Sequence, residues 1–303
     1  MLNTTSVGTT NKSKTKKLVV KYKDEKLAWA LVGPAVFIVT ALIAYPTLLN
    51  IYLSFFDIGL DGSRTFVGLA NYQNLLSNPS YFSSIWTTII YLIGSVGGTT
   101  LLGLGTALLM NMEFKFRAIV RTIIIVPYFA PVISVVFGWK FIFDPVNGIF
   151  NYIFADTLGI INPSTNLIGD PNTAMWVLIL FSIWKYFPIT YLIILARLQI
   201  VDKALYEAAS LDGANAWQRF RYVTLPEIEF VLGTTILLRT IWNLNRFEDI
   251  YLLAPQIKTL SIFTYEQAFT GVIDQGLAAS ASFVQLIFVG VGIVYYIKKI
   301  LKW

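Results

Sequence analysis

Residues 207–226, EAASLDGANAWQRFRYVTLP, contain the densest set of side chains suited to specific polar contacts. Glu207 and Asp212 are acidic, and Arg219 and Arg221 are basic. The small residues among them are Ala208, Ala209, Gly213 and Ala214. Small side chains let another protein's surface approach the backbone closely, and the charges would direct contacts around that patch. On these residues alone, docking onto a water-soluble partner and a solvated connecting loop are about equally favoured.

Several kinds of catalytic chemistry are excluded by composition. The sequence has no Cys and no His, which removes thiol catalysis, disulfides, Cys/His metal sites and a Ser–His triad. It also lacks the Gly-x4-Gly-Lys-Ser/Thr phosphate loop, so the chain is not expected to hydrolyse ATP. None of these chemistries is therefore expected of this chain.

The chain is apolar enough to be an integral membrane protein. Of its 303 residues, 56% are hydrophobic and 13% are charged, about half the charged fraction of a soluble domain. The apolar segments cover residues 28–55, 82–110, 120–143, 174–196, 228–253 and 278–300. Each has the length of a membrane-spanning helix. The sequence thus predicts an all-α membrane protein with a basic cytoplasmic tail (1–26) and one six-helix domain (27–303), whose polar loop covers 204–226.

The distribution of Lys and Arg predicts the orientation in the membrane. Seventeen of the 23 basic residues fall on one side when six spans are drawn. They are Lys12, Lys14, Lys16, Lys17, Lys21, Lys23, Lys26, Lys115, Arg117, Arg121, Arg197, Lys203, Arg219, Arg221, Lys298, Lys299 and Lys302. Basic loops stay in the cytoplasm, so both termini and residues 207–226 are predicted to be cytoplasmic. The net charge of +6 is explained by this pattern and does not indicate nucleic acid binding.

Local signals predict short helices outside the spans. Residues 204–209 favour a helix that stops at Gly213, and residues 214–222 favour a second one. Leu225 and Pro226 are expected to turn the chain into the fifth span. On the opposite side, Asn71 is expected to cap a short interfacial helix, and residues 144–173 to form ordered turns.

The polar loop resembles the EAA loop of ABC importer permeases. The matching residues are Glu207, Ala208, Ala209, Asp212, Gly213, Ala214, Phe220, Leu225 and Pro226, with Val223 where Ile is more usual. In that family the loop forms a coupling helix that fits a groove in the ATPase subunit. The resemblance therefore implies the type I importer permease fold and a cytoplasmic coupling helix.

Further segments resemble the first permease of heterodimeric maltose-type sugar importers. They are FVGLANY at 66–72, Pro127-Tyr128 with Pro131, Trp139 and Phe143, and WNLNRFEDIYLL at 242–253. The resemblance implies a second permease, two ATPase subunits that use ATP and Mg²⁺, an extracytoplasmic sugar-binding protein, a sugar substrate and contact with membrane lipid. It also implies that this chain is a transport subunit and not an enzyme, and that it binds no cofactor or metal itself. One departure is Ala254-Pro255-Gln256, where the family usually has Gly-Gly-Pro.

The candidate solute path lies in the third to fifth spans. Arg239, Asn243 and Arg246 are spaced to share one helix face, and each Arg would cost roughly 2.5–3.5 kcal/mol at the bilayer centre. That face should therefore point inward. The resemblance adds Tyr128 and Asn243 at matching positions, and Ser182 and Tyr186 at comparable depth. The candidates are Tyr128, Ser182, Tyr186, Arg239, Asn243 and Arg246.

Alternatives remain open at this stage. Arg239 and Arg246 could instead lock the bundle through carbonyls or through Glu248 and Asp249. The cargo could be an anionic solute such as a glycerol phosphate, which competition by phosphate esters would reveal. A secondary carrier driven by ions would need intramembrane acids and internal repeats, and the spans hold few acids and no visible repeat.

Overall fold

A computed structural model describes residues 23–162 and 165–299. The predicted basic tail (1–26) lies largely outside the described residues. The chain divides into two units, residues 1–49 and residues 50–303. The described part of the first unit is helical, and its apolar side chains, such as Leu31 and Phe37, are strongly exposed.

The described residues are mostly helical, as predicted. The helices are α1 Lys23–Val39, α2 Tyr45–Leu53, α3 Ala70–Ser77, α4 Pro79–Asn111, α5 Arg117–Phe129, α6 Val132–Ile142, α7 Ile149–Asn151, α8 Pro171–Leu198, α9 Lys203–Leu211, α10 Ala216–Arg219, α11 Leu225–Leu244, α12 Glu248–Leu253, α13 Leu260–Phe269 and α14 Gln275–Lys299. Three π-helical turns occupy Thr40–Ala44, Tyr152–Thr157 and Phe220–Thr224. A two-stranded antiparallel hairpin, β1 Phe56–Ile58 with β2 Arg64–Phe66, was not predicted.

Four described helices are long and apolar enough to cross a membrane, and a bent pair, α5 with α6, can provide a fifth span. The four are Leu27–Leu53, Pro79–Asn111, Pro171–Leu198 and Gln275–Lys299. Helix α11 has only 20 residues, and Glu227, Glu229 and Arg239 reduce its apolar character. The count of six spans therefore stays a prediction.

Two predicted spans are not continuous helices. The third bends by 95° between Phe129 and Val132. Pro131 lacks an N–H group and disfavours helical geometry at Ala130, which is extended (φ −64°, ψ 136°). The fifth ends at Leu244 and resumes only at Glu248. Uninterrupted helices at 120–143 and 228–253 were therefore wrong predictions.

Helix α8 is the central helix of the second unit and packs closely against α4. A Cβ atom on Gly94 would lie 2.6 Å from Ile179 Cδ1, and one on Gly103 would lie 2.7 Å from Thr190 Cγ2. These glycines let the two helices approach closely, as in other membrane bundles. The buried ring of Tyr91 on α4 and that of Phe181 on α8 complete this core.

The short helix α3 is anchored by the side chain of Asn71. This amide donates to the carbonyl oxygens of Ser54 and Phe56, each at 2.9 Å, and is almost fully buried. Gly276 of α14 lies against the same amide, where a Cβ would be 2.6 Å from Asn71 Nδ2. Leu69 occupies the N-cap position of α3, so the prediction that Asn71 caps this helix was wrong.

We predict that Asn71→Ala destabilises the protein. The substitution leaves two carbonyl groups without their donor, so a loss of about 1–3 kcal/mol in the free energy of unfolding is expected. Thermal denaturation in detergent would measure it. Asn74→Ala, an exposed position on the same helix, is the matched control. Equal melting temperatures for both variants would contradict this role.

Candidate solute pathway and docking loop

The bend between α5 and α6 exposes carbonyl groups that Lys185 of α8 satisfies. Its Nζ atom donates to the carbonyl oxygen of Ala130 at 2.7 Å and to that of Pro127 at 3.3 Å. Backbone groups in a bilayer need such partners because no water is available. The sequence showed Lys185 as a charge inside a span, but its partners depend on the tertiary structure.

The break between α11 and α12 is stabilised by side chains from two other helices. Ser261 of α13 donates to the carbonyl oxygen of Arg246 at 2.6 Å. Gln285 of α14 donates to the carbonyl oxygen of Leu244 at 3.2 Å. At each interruption, side chains of neighbouring helices therefore pair two backbone carbonyl groups.

A buried polar network joins α8 to the second break. The hydroxyl of Tyr186 donates to Asp249 Oδ2 at 2.6 Å. Arg246 Nη1 lies 3.8 Å from the same oxygen, and its Cζ lies 4.0 Å from the centroid of the Tyr186 ring. The side chain of Asp249 is 1% exposed and that of Arg246 is 19% exposed, so the carboxylate is buried while the guanidinium keeps some contact with the cavity. The alternative that Arg246 locks the bundle through Asp249 is thus realised in this structure.

Asn243 and Ser182 contribute to helix packing. Asn243 Nδ2 donates to Ser95 Oγ at 3.0 Å, and Ser182 Oγ lies 2.9 Å from the Tyr91 hydroxyl oxygen. Both predicted pathway residues are buried, and neither lines the cavity described next. Arg246 lies beyond the end of α11, but its Nη2 remains 3.5 Å from Asn243 Oδ1, so the predicted clustering of these two side chains is observed.

A cavity of about 560 Å³ lies beside the two breaks, next to the middle of α8. Four of the predicted pathway residues line it, namely Tyr128, Tyr186, Arg239 and Arg246. Trp242, which is not among the six candidates, also lines it and is 45% exposed. Its size lies within the range of small-molecule sites. Aromatic faces and polar groups together can hold a hydroxyl-rich solute.

Arg239 differs from the other cations of this region. It is 1% exposed, and its Nε and Nη2 atoms have no hydrogen-bond partner among the described residues. Its guanidinium Cζ lies 5.1 Å from the centroid of the Tyr186 ring, a cation–π contact. This contact offsets only part of the cost of a buried charge.

The polar loop of the sequence analysis is called the docking loop from here on and is extended by one residue to 203–226, because α9 begins at Lys203. Asp202 accepts a hydrogen bond from the backbone N–H of Ala204 at 2.9 Å and caps this helix. Gly213 terminates it with φ +79°, a left-handed conformation that favours glycine. The predicted helix and its stop are therefore observed.

The second part of the docking loop is also ordered. Asn215 and Gln218 form a reciprocal capping box at the start of α10, with hydrogen bonds of 2.8 and 2.9 Å. Arg219 Nη1 donates to Ser210 Oγ at 3.0 Å and ties α10 to α9. The chain continues helically through Phe220–Thr224 into α11, so the predicted turn at Leu225-Pro226 was wrong. Pro226 fits because it lies in the first turn of α11.

The outer surface of the docking loop carries large apolar side chains as well as small and charged ones. Glu207, Ala208 and Asp212 are exposed, as docking requires. Three large apolar side chains are also strongly exposed, and sequence reasoning did not single them out. They are Leu211 (89%), Trp217 (69%) and Tyr222 (76%). Exposed apolar groups of this size at a loop are typical of a surface that meets a partner.

Residues 144–173 are predicted to form ordered turns. In the described part of this segment, several side chains form hydrogen bonds with the backbone. Asp144 accepts from the backbone N–H groups of Val146 and Asn147, which holds the pKa of this carboxyl below its usual range. Asn151 donates to the carbonyl oxygens of Pro145 and Thr165. Among the described residues, no group of acidic side chains is placed to hold a metal ion.

Comparisons with known proteins agree on one family. Residues 99–302 match the sequence model of a protein family described as the binding-protein-dependent transport system inner membrane component. The inner membrane ABC transporter permease protein YcjO of Escherichia coli is 41% identical over 88% of this chain and 91% of the relative. The trehalose/maltose transport system permease protein MalF of Thermococcus litoralis is 32% identical over 92% of this chain and 95% of the relative.

A solved structure has the same fold. It belongs to a bacterial ABC transporter involved in the import of the acidic polysaccharide alginate. The two chains superpose with a TM-score of 0.77 at 21% identity, covering 90% of this chain and 94% of the other. This chain belongs to the family of binding-protein-dependent transport system inner membrane components. It is a multi-pass membrane permease subunit of an ABC importer, a transport component rather than an enzyme.

We predict that Lys185→Met destabilises the bend between α5 and α6. Without the ammonium group, two buried carbonyl oxygens lose their donor, which should cost about 1–3 kcal/mol. The apparent melting temperature of the purified complex would report the loss. Lys140→Met is the control, because the Lys140 ammonium lies 5.9 Å from the centroid of the Phe137 ring and donates no hydrogen bond to the described residues. A similar decrease in both variants would argue against the capping role.

Proposed function

We propose that this chain is a permease subunit that forms part of the path of a saccharide through an ATP-driven importer. The observation that carries the proposal is the cavity beside the two helix breaks. Tyr128 and Trp242 supply aromatic faces, while Asn245 and Glu248 add amide and carboxylate groups. A saccharide presents apolar ring faces and many hydroxyl groups, so it matches such a lining. The name of the trehalose/maltose permease supports a sugar as the cargo.

The proposed assembly contains five chains. A second permease would complete the path, and two ATPase subunits would bind on the cytoplasmic side, one of them at the docking loop of this chain. An extracytoplasmic binding protein would deliver the saccharide to the outer loops. ATP and Mg²⁺ belong to the ATPase subunits in this scheme, and this chain binds neither. Both termini lie in the cytoplasm, as the basic residues favour.

The contacts around the docking loop support its proposed role as a lever. Arg197 at the end of α8 donates to the carboxylate of Glu227 and to its carbonyl oxygen, both at 2.8 Å. The Tyr206 hydroxyl lies 3.0 Å from Thr224 Oγ1 and connects α9 to the start of α11. Movement of an ATPase subunit at the docking loop would thereby reach α8 and α11, which line the cavity. This is a small rigid-body shift of packed helices.

The function is tested by reconstitution. The complex of both permeases and the ATPase, assembled in proteoliposomes with the binding protein outside and ATP inside, should accumulate a labelled saccharide. Uptake should require both ATP and the binding protein. Accumulation of no saccharide from a broad panel, with the complex intact, would contradict the proposal. Uptake that continues without any ATPase subunit would favour a secondary carrier instead.

We predict that Gly213→Asp abolishes transport while the protein still inserts into the membrane. The substitution adds bulk and charge where we place the ATPase surface, so co-purification of the ATPase should fall at least tenfold. Gly62→Asp is the matched control, because Gly62 has the same left-handed backbone (φ +81°) and the same free space around its Cβ position. Both substitutions therefore introduce similar strain. Normal uptake by Gly213→Asp would refute the assignment of Gly213 to docking.

A further inference from the structure

We propose that the transported saccharide carries an anionic group, a carboxylate or a phosphate ester, and that Arg239 binds this group during passage. The proposal rests on the proposed function and adds the chemical class of the cargo. It assigns Arg239 as a specificity-determining residue, distinct from the cations that stabilise the fold.

The cations around the cavity outnumber the buried anions. Three of them surround the ring of Tyr186, with Lys185 Nζ 5.7 Å, Arg239 Cζ 5.1 Å and Arg246 Cζ 4.0 Å from its centroid. The buried carboxylate at this point is that of Asp249. Glu248 also lines the cavity, but it is exposed, so water screens its charge. The lining itself holds two cations, Arg239 and Arg246, and two carboxylates, while Lys185 lies outside the lining. The fully buried charges near Tyr186 are those of Lys185, Arg239 and Asp249, so the buried charge there is net positive.

Two of these three cations already have partners. Lys185 donates to two backbone carbonyl groups at the bend between α5 and α6. Arg246 pairs with Asp249 and also reaches Asn243. Their charges are used to hold the interrupted spans together, so substituting them would alter the fold itself.

Of these three cations, Arg239 is the one with neither a hydrogen bond nor an ion pair to the described residues. Its Nε and Nη2 atoms are buried and have no hydrogen-bond partner among residues 23–162 and 165–299. It forms no ion pair within these ranges, and its side chain lines the cavity. A buried guanidinium without hydrogen-bond partners is costly, which favours a function for this residue over a purely structural role.

The chemistry of guanidinium selects the kind of ligand. Its planar fork of N–H donors matches two oxygens of a carboxylate or of a phosphate, forming short, charge-assisted hydrogen bonds. A neutral sugar offers only hydroxyl groups, which cannot compensate the charge. The aromatic rings of Tyr128 and Trp242 in the same cavity can hold the sugar ring while Arg239 holds the acidic group.

The test measures solute binding to the purified permease–ATPase complex in nanodiscs, without the binding protein, so that the permease alone discriminates. Two matched pairs serve as probes: digalacturonate with galactobiose, and glucose 6-phosphate with glucose. In at least one pair, the acidic member should bind at least tenfold more tightly than its neutral partner. Arg239→Gln should remove this preference and leave binding of the neutral member within twofold. Arg239→Lys should retain part of it.

Thr240→Val is the matched control. Thr240→Val alters the next residue of α11, whose hydroxyl is bonded to its own helix and which is not part of the cavity lining, so it should change nothing. Equal or weaker binding of both acidic probes, or an equal loss for both members of a pair in Arg239→Gln, would overturn the proposal. Uptake of a neutral saccharide by the same complex would then leave the proposed function intact. Failure of all saccharide uptake would contradict the function as well.

Discussion

Backbone polar groups inside a membrane must find partners within the protein, and this constraint explains much of the arrangement of the second unit. Two of its helical segments are interrupted, and each interruption frees carbonyl groups from the helical pattern. Lys185 donates hydrogen bonds to two carbonyl oxygens at the first break, and Ser261 and Gln285 each donate one to a carbonyl oxygen at the second. The helices that carry these side chains must therefore stay in register with the breaks.

The same breaks provide the space and the polarity of the cavity. Because the chain bends beside the middle of α8, the side chains around Tyr186 come from several elements and enclose about 560 Å³. Charges are tolerated there because Asp249 and backbone carbonyls compensate most of them. Arg239 is the exception, and it connects the energetics of the fold with the choice of cargo. The docking loop lies at the other end of α8 and α11, so the helices that line the cavity also carry the attachment to the proposed ATPase.

Sequence reasoning succeeded where the signal is local. The helix ending at Gly213 follows from helix propensity and a left-handed glycine. It failed where tertiary contacts decide. The bend at Ala130 needs a donor from a helix far along the sequence, and the partners of Lys185 were not predicted. The six pathway candidates were chosen by helix face, by matching position or by depth, and only the structure separates those that line the cavity from those that pack helices together.

If the cavity beside the breaks is a water-accessible path for the solute, a thiol placed in it will react with reagents from the water phase. The chain contains no cysteine, so Tyr128→Cys introduces a single thiol into it, in a complex whose other subunits are also free of cysteine. Phe288→Cys, on an outward-facing position of α14 that is 66% exposed, serves as the reference for a lipid-facing site. We expect a water-soluble methanethiosulfonate reagent to label Tyr128→Cys, the transported saccharide to slow that labelling, and Phe288→Cys to remain unlabelled. Absence of labelling at residue 128, or labelling that the saccharide leaves unchanged, would contradict the account.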